Sequence, residues 1–162
     1  MSLFTARLAG PWDAAAVADH LDSRAIPLRL SAVAPSGWPI VLSLWFVRDG
    51  GELLCATQRS ASIVQSLLAD PRCAFEVAGD TAPYHGVRGR ARVTVEPDES
   101  LEVLTRLAER YLGGTDGAFA RWLLGRPTPE VVLRLDPISV TSWDYRSRMA
   151  GEGPASAAGR VA

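Results

Sequence analysis

Residues 38–72 read WPIVLSLWFVRDGGELLCATQRSASIVQSLLADPR, and this stretch decides the fold. Pro39 to Val47 is nearly continuously apolar, the pattern of a strand buried on both faces or set centrally in a barrel. Asp49-Gly50-Gly51 follows, residues that tolerate positive φ and close a hairpin. Glu52 to Ala56 is the return strand, which ends at Thr57. A polar corner, Gln58-Arg59-Ser60-Ala61-Ser62, then feeds a helix carried by Ile63, Val64, Leu67 and Leu68. Asp70-Pro71 ends that helix, because a residue before Pro avoids the helical region. A helix start offers unpaired N–H groups and Arg59 adds a permanent charge, so the corner suits a phosphate. An ordinary capped helix start accounts for the same residues, since Ser and Thr are common there.

Working outward, Pro11 to Ser23 is a short amphipathic helix with Trp12, Ala16, Val17 and Leu21 on one face. It follows a loosely held arm at residues 1–10. Leu28 to Ala34 alternates as a strand, and so does Cys73 to Ala78. Tyr84 to Glu96 carries the clearest period of two, with Val87, Gly89, Ala91, Val93 and Val95 on one face. Arg88, Arg90, Arg92 and Thr94 take the other. Pro97-Asp98-Glu99-Ser100 opens a helix with acidic residues in its first turn, and Gly113-Gly114 stop it. A short helix spans Phe119 to Leu124. Val131 to Leu135 and the segment from Ile138 to Tyr145 read as two strands parted by Asp136-Pro137. From Arg148 on, the chain is rich in Gly, Ala and Ser without periodicity, which reads as a disordered tail. The expected organisation is an arm and helix at 1–25, one barrel domain at 26–146 and a tail at 147–162. Hairpin order with helices at the margins implies a mainly β fold, a six- to seven-stranded antiparallel barrel.

At 162 residues the chain is long enough for one real core. Its net charge of −1 gives no reason to expect nucleic acid or an anionic membrane as partner. No run approaches a membrane span and the start lacks a continuous apolar segment, so a cytoplasmic location is expected. There is no Lys, which excludes Lys-based Schiff chemistry. Cys55 and Cys73 sit in apolar runs without disulfide or CxxC spacing. His20 and His85 have no neighbouring ligands at metal spacing, so no metal site is expected. No nucleophile elbow and no Walker or Rossmann glycine pattern is present. What remains is the polar corner, the Arg stripe on the long strand, and Trp143 beside Asp144 and Tyr145, where an aromatic plane could cover a ring or cap the barrel.

Four pieces together resemble the pyridoxamine 5′-phosphate oxidase-like, FMN-binding split-barrel proteins. They are PIVLSLWFVRDGGELLCAT, T-x13-P from Thr57 to Pro71, Tyr84-His85-Gly86-Val87-Arg88-Gly89-Arg90-Ala91, and P-x5-W from Pro137 to Trp143. They span about residues 26 to 145. The resemblance implies a homodimer with FMN at the subunit interface. It places Ile40, Val41, Leu42 and Ser43 against the isoalloxazine ring, and Thr57 and Gln58 near the ring and ribityl chain. Arg88 and Trp143 fall at positions where relatives carry Arg and an aromatic. The corner departs from the family, with Ala61 and Ile63 where relatives carry Ser and Lys. Arg59, Ser60 and Ser62 are then the substitutes for phosphate binding. Gly86 replaces a common Gln. Asp144-Tyr145-Arg146-Ser147-Arg148-Met149 lacks the substrate motif of true pyridoxamine phosphate oxidases, which argues against vitamin B6 oxidation.

The implied function is flavin-dependent hydride transfer to or from a small molecule, with no evident general acid or base beyond Tyr84, His85 and Tyr145. An 8-hydroxy-5-deazaflavin cofactor on the same fold is the alternative, its polyanionic tail suited to an Arg-rich groove. A non-catalytic flavin- or haem-binding dimer is the third reading.

Overall fold

The computed structural model describes residues 5–151. Its elements, in order, are β1 Arg7–Ala9, α1 Ala14–Ser23, β2 Leu28–Val33, β3 Pro39–Leu44, β4 Val47–Asp49, β5 Glu52–Gln58 and α2 Ser62–Ala69. Then come β6 Arg72–Ala78, β7 His85–Pro97, α3 Glu102–Leu112, α4 Ala118–Leu124, β8 Glu130–Asp144 and α5 Arg146–Met149.

The strands form one sheet in the order β3-β2-β6-β7-β8-β5-β4. Its two edge strands, β3 and β4, are joined only by Trp45 and Phe46. So short a link spans about 11 Å at most, so the sheet curls until its edges meet at that corner. They meet without pairing, which leaves an open barrel. Helix α3 latches the corner: the Tyr111 hydroxyl accepts from the Phe46 N–H at 3.3 Å and donates to the Ile26 carbonyl at 3.0 Å. Trp45 stacks on the Tyr111 ring at 4.9 Å.

This corner corrects the reading of Pro39 to Val47 as one central or doubly buried strand. The run breaks at Trp45-Phe46, and β3 is an edge strand with an exposed outer face, Val41 being 71% exposed. Only Ile40, Leu42 and Leu44 pack against the core.

Three further departures have local causes. Residues Arg7–Ala9 of the supposed loose arm pair in parallel with Ser139–Thr141 as an eighth strand. The two expected closing strands are one, β8, which pairs β5 through its first half and β1 through its second. Pro137 does not break it, because the register shifts at Arg90/Ala91 and Ile138 bulges out, so the missing N–H costs little. Helix α3 starts later than Pro97-Ser100, at Glu102. Asp98 is buried there, its Oδ2 accepting the Leu104 N–H at 3.1 Å. The tail expected from Arg148 begins inside α5; from residue 152 on it lies outside the described residues.

Leu28, Leu30, Phe46, Leu53, Leu133 and Leu135 fill the barrel at 0% exposure. Burying each contributes roughly 1.5–3 kcal/mol. Helices α1 and α2 plug this core through Val17, Leu21, Ile63 and Leu67. A smaller cluster of Val47, Leu54, Val103, Leu107 and Val132 seats α3 on the outside of β4, β5 and β8. No helix among the described residues is long and apolar enough to cross a membrane.

Candidate functional site

Two concavities flank β3, and they divide the residues that the sequence nominated. The inner cleft, about 350 Å³, lies between β3, the end of β5, the start of α2, and helices α3 and α4. It gathers Ser43, Thr57, Gln58 and Ala61 with Trp45, and is walled by Leu104, Leu107, Phe119 and Leu123. β5 and β8 pair in register, which sets Gln58 opposite Glu130. Glu130 and Arg126 complete the lining.

Glu130 is 6% exposed, and its Oε1 accepts from Arg126 Nη2 at 2.6 Å. Burial raises its carboxyl above the ordinary range, Arg126 pulls it back, and nearby Asp98 pushes it up. The Arg126 guanidinium rests over the Trp122 ring at 5.4 Å. Sequence reading missed this pair. Its only signal is two charges flanking Pro127-Thr128-Pro129 at the entrance to the apolar run VVLRL.

The outer groove, about 530 Å³, runs across the outside of the sheet. Arg7, Arg29, Arg88 and Arg90 line it, with Val41, Ala74 and Phe75 among its apolar residues and Glu76 as its carboxylate. Arg29 lies 3.7 Å from Glu76 and donates to the Ala78 carbonyl at 3.0 Å. Arg90 donates to Ser139 Oγ at 3.4 Å, and Arg88 stands over the Trp143 ring at 5.8 Å. Gly89 forms part of the floor because a Cβ there would come within 2.5 Å of the Phe75 ring and the Ser139 carbonyl.

The nominated residues thus fall in separate places. Ser43, Thr57 and Gln58 line the cleft, and Val41 and Arg88 line the groove. Ile40 and Leu42 turn toward the core. Arg59 lines a third, smaller hollow with Val64, Gln65 and Leu68. Ser60 and Ser62 are exposed at the corner, and Ala61 gives α2 no side-chain cap. Trp143 lies opposite Gly86, whose missing Cβ makes room for the indole.

Tyr84, His85 and Tyr145 line neither concavity. His85 instead shares a small hollow with His20 and Trp12, the two imidazoles 5.6 Å apart. The His20 Nε2 lies 2.9 Å from the Val77 carbonyl and so donates to it, while burial lowers the His20 pKa. Among the described residues no group of three or more His, Cys, Asp or Glu could hold a metal ion.

No family model matches the chain, and no curated protein matches it. Solved structures do. The conserved hypothetical protein Rv2991 of Mycobacterium tuberculosis superposes with a TM-score of 0.73 at 24% identity, over 94% of this chain and 96% of that one. An F420 reductase superposes at 0.62 and 24% identity, over 75% of this chain and 94% of its own. A Listeria innocua protein provisionally named as a pyridoxamine 5′-phosphate oxidase gives 0.61 at 16% identity, over 79% and 95%. The chain has the fold of the pyridoxamine 5′-phosphate oxidase-like split barrels.

Proposed function

We propose that this protein is a flavin-type oxidoreductase on a split barrel, a homodimer that moves a hydride to or from a small organic molecule. The inner cleft carries the reading. Its volume, about 350 Å³, suits a planar ring system, and one wall is apolar while the other presents Ser43, Thr57, Gln58, Arg126 and Glu130. Two buried polar atoms there, Arg126 Nε and Glu130 Oε2, have no partner among the described residues. Such a lining fits a ring with a polar edge.

When bound, a flavin-type ring supplies hydride transfer, which needs no nucleophile from the protein. This chain's residues do the rest. Leu104, Leu107, Phe119 and Leu123 keep water from the ring face, while Ser43, Thr57 and Gln58 offer hydrogen bonds that orient it. FMN is the first candidate cofactor.

A second reading, 8-hydroxy-5-deazaflavin, is favoured by the outer groove. Val41 and Ser43 are i, i+2 neighbours on the exposed face of β3, one lining each concavity. A ligand with its ring in the cleft can therefore run an anionic tail along β3 to Arg7, Arg29, Arg88 and Arg90. The F420 reductase on the same fold supports this reading. A second copy of the chain would cover edge strand β3, where Trp38 is 75% and Val41 71% exposed.

The test is a fluorescence titration of the apo-protein with FMN and with the deazaflavin, alongside sedimentation of the same sample. Micromolar binding of one identifies the cofactor, and a dimer supports the covered β3 edge. Failure of both to bind at that concentration removes the reading.

A further inference from the structure

The Arg126–Glu130 pair closes only half of its fork. A guanidinium facing a carboxylate commonly makes two parallel hydrogen bonds. Here only Nη2 donates to Oε1, at 2.6 Å. The Arg126 Nε donor and the Glu130 Oε2 acceptor are both buried without a partner among the described residues. Leaving such groups unmet costs roughly five- to a hundred-fold in an equilibrium constant, so each needs a reason.

Both residues line the inner cleft, and each carries one of the two unmet atoms, a donor on Arg126 and an acceptor on Glu130. We propose that this half-closed fork recognises the lactam or imide edge of a planar heterocycle: a ligand N–H donates to Glu130 Oε2 and the adjacent ligand carbonyl accepts from Arg126 Nε. The proposal rests on the reading that a flavin-type ring enters the cleft, since the pyrimidinedione edge of that ring carries an N–H between two carbonyls. Gln58, directly across the β5–β8 ladder from Glu130, adds an amide that serves either role. A phosphate is the wrong occupant for this wall, because Oε2 needs a donor and the carboxylate repels an anion. The raised Glu130 carboxyl agrees with an acceptor that lacks a donor, since an arriving N–H would stabilise its charged form.

Lumiflavin and 3-methyllumiflavin test this, because methylation replaces the edge N–H with a methyl group, and Glu130→Ala separates the lost hydrogen bond from the added bulk. Titrated into the full-length wild-type protein, lumiflavin is expected to bind at least about tenfold more tightly. In Glu130→Ala the preference is expected to fall below about threefold, with circular dichroism reporting that the variant is folded. Should that variant not fold, the wild-type ratio decides alone. Equal affinity of the two flavins for wild type overturns this proposal and leaves the flavin reading standing. A wild-type preference that survives intact in Glu130→Ala overturns the assignment to Glu130. If neither flavin binds, this proposal falls, and the titration with FMN and the deazaflavin decides the flavin reading separately.

Discussion

The inner cleft and the outer groove share strand β3 and differ in how dry they are. The groove holds Arg7, Arg29, Arg88 and Arg90 against Glu76, on an exposed face. Its charges are solvated, and salt screens them over about 10 Å at 0.1 M. The cleft holds one guanidinium and one carboxylate, and those two residues carry two buried polar atoms without partners among the described residues. In a low-dielectric wall each missing bond is felt nearly in full, whereas an exposed Arg trades water for ligand at little gain. Charge count therefore points to the groove, and burial points to the cleft as the place where an unmet hydrogen bond costs most.

Breaking the cleft's pair gives the largest expected effect. Arg126→Ala leaves the Glu130 carboxylate buried near Asp98 without its cation, at an expected cost of ~3 kcal/mol at neutral pH. The pH dependence separates charge from packing. Burial already holds the folded Glu130 pKa above its unfolded value, and losing Arg126 raises it further. The unfolded chain then releases this proton first, so the penalty grows as pH rises above the unfolded value and vanishes below it. Urea unfolding of wild type and variant at pH 7 and pH 4 should show the gap shrinking on acidification. A gap of the same size at both would assign the loss to the contact between Arg126 and Trp122.

Next in size is Gly89→Ala, which strikes the groove through its floor. The added Cβ would sit 2.5 Å from both the Phe75 ring and the Ser139 carbonyl. The carbonyl is held in the β7–β8 ladder and Phe75 is 4% exposed, so neither yields easily. An expected loss of ~2 kcal/mol follows, measurable as a lowered melting temperature. Gly79→Ala meets open space and is expected to change stability by under about 0.5 kcal/mol. Equal effects at both positions would mean that the sheet relaxes around Gly89 and the floor is soft.

Where the sequence was legible, the signal was local. Period two in β7 and the helical stripe of α2 each report one element's own burial, so both emerge where expected except at Leu68, which is exposed while Ile63, Val64 and Leu67 are buried. The status of β3 was hidden because a continuously apolar run is the same whether its outer face meets a core or lies open at an edge. Pro137 misled for a related reason: a bulge absorbs it only because β7 supplies the register shift. The site was less legible still. Glu130 reaches the cleft through the β5–β8 register, a pairing no local pattern encodes. Arg59 leaves it because β5 ends at Gln58 and Arg59 opens the turn that follows, a boundary the run of polar residues does not mark. Gln58 lines the cleft, and Arg59 lines the hollow beside it.

That separation of Gln58 from Arg59 sets up the smallest expected effect, which also distinguishes the two routes for an anionic tail. If the tail follows β3, Arg59→Ala should change FMN affinity by less than about twofold, because its side chain lies in the wrong hollow. Arg90→Ala, within the groove, should weaken FMN by about three- to tenfold at low salt, as loss of a charge-assisted bond implies. At about 1 M salt, where screening falls to about 3 Å, the Arg90 effect should nearly vanish. Riboflavin has no phosphate and should be indifferent to both substitutions at every salt concentration. A tenfold loss of FMN binding in Arg59→Ala, with riboflavin unchanged, would instead put the phosphate at the corner before α2. The groove's guanidiniums would then have no part in holding the cofactor.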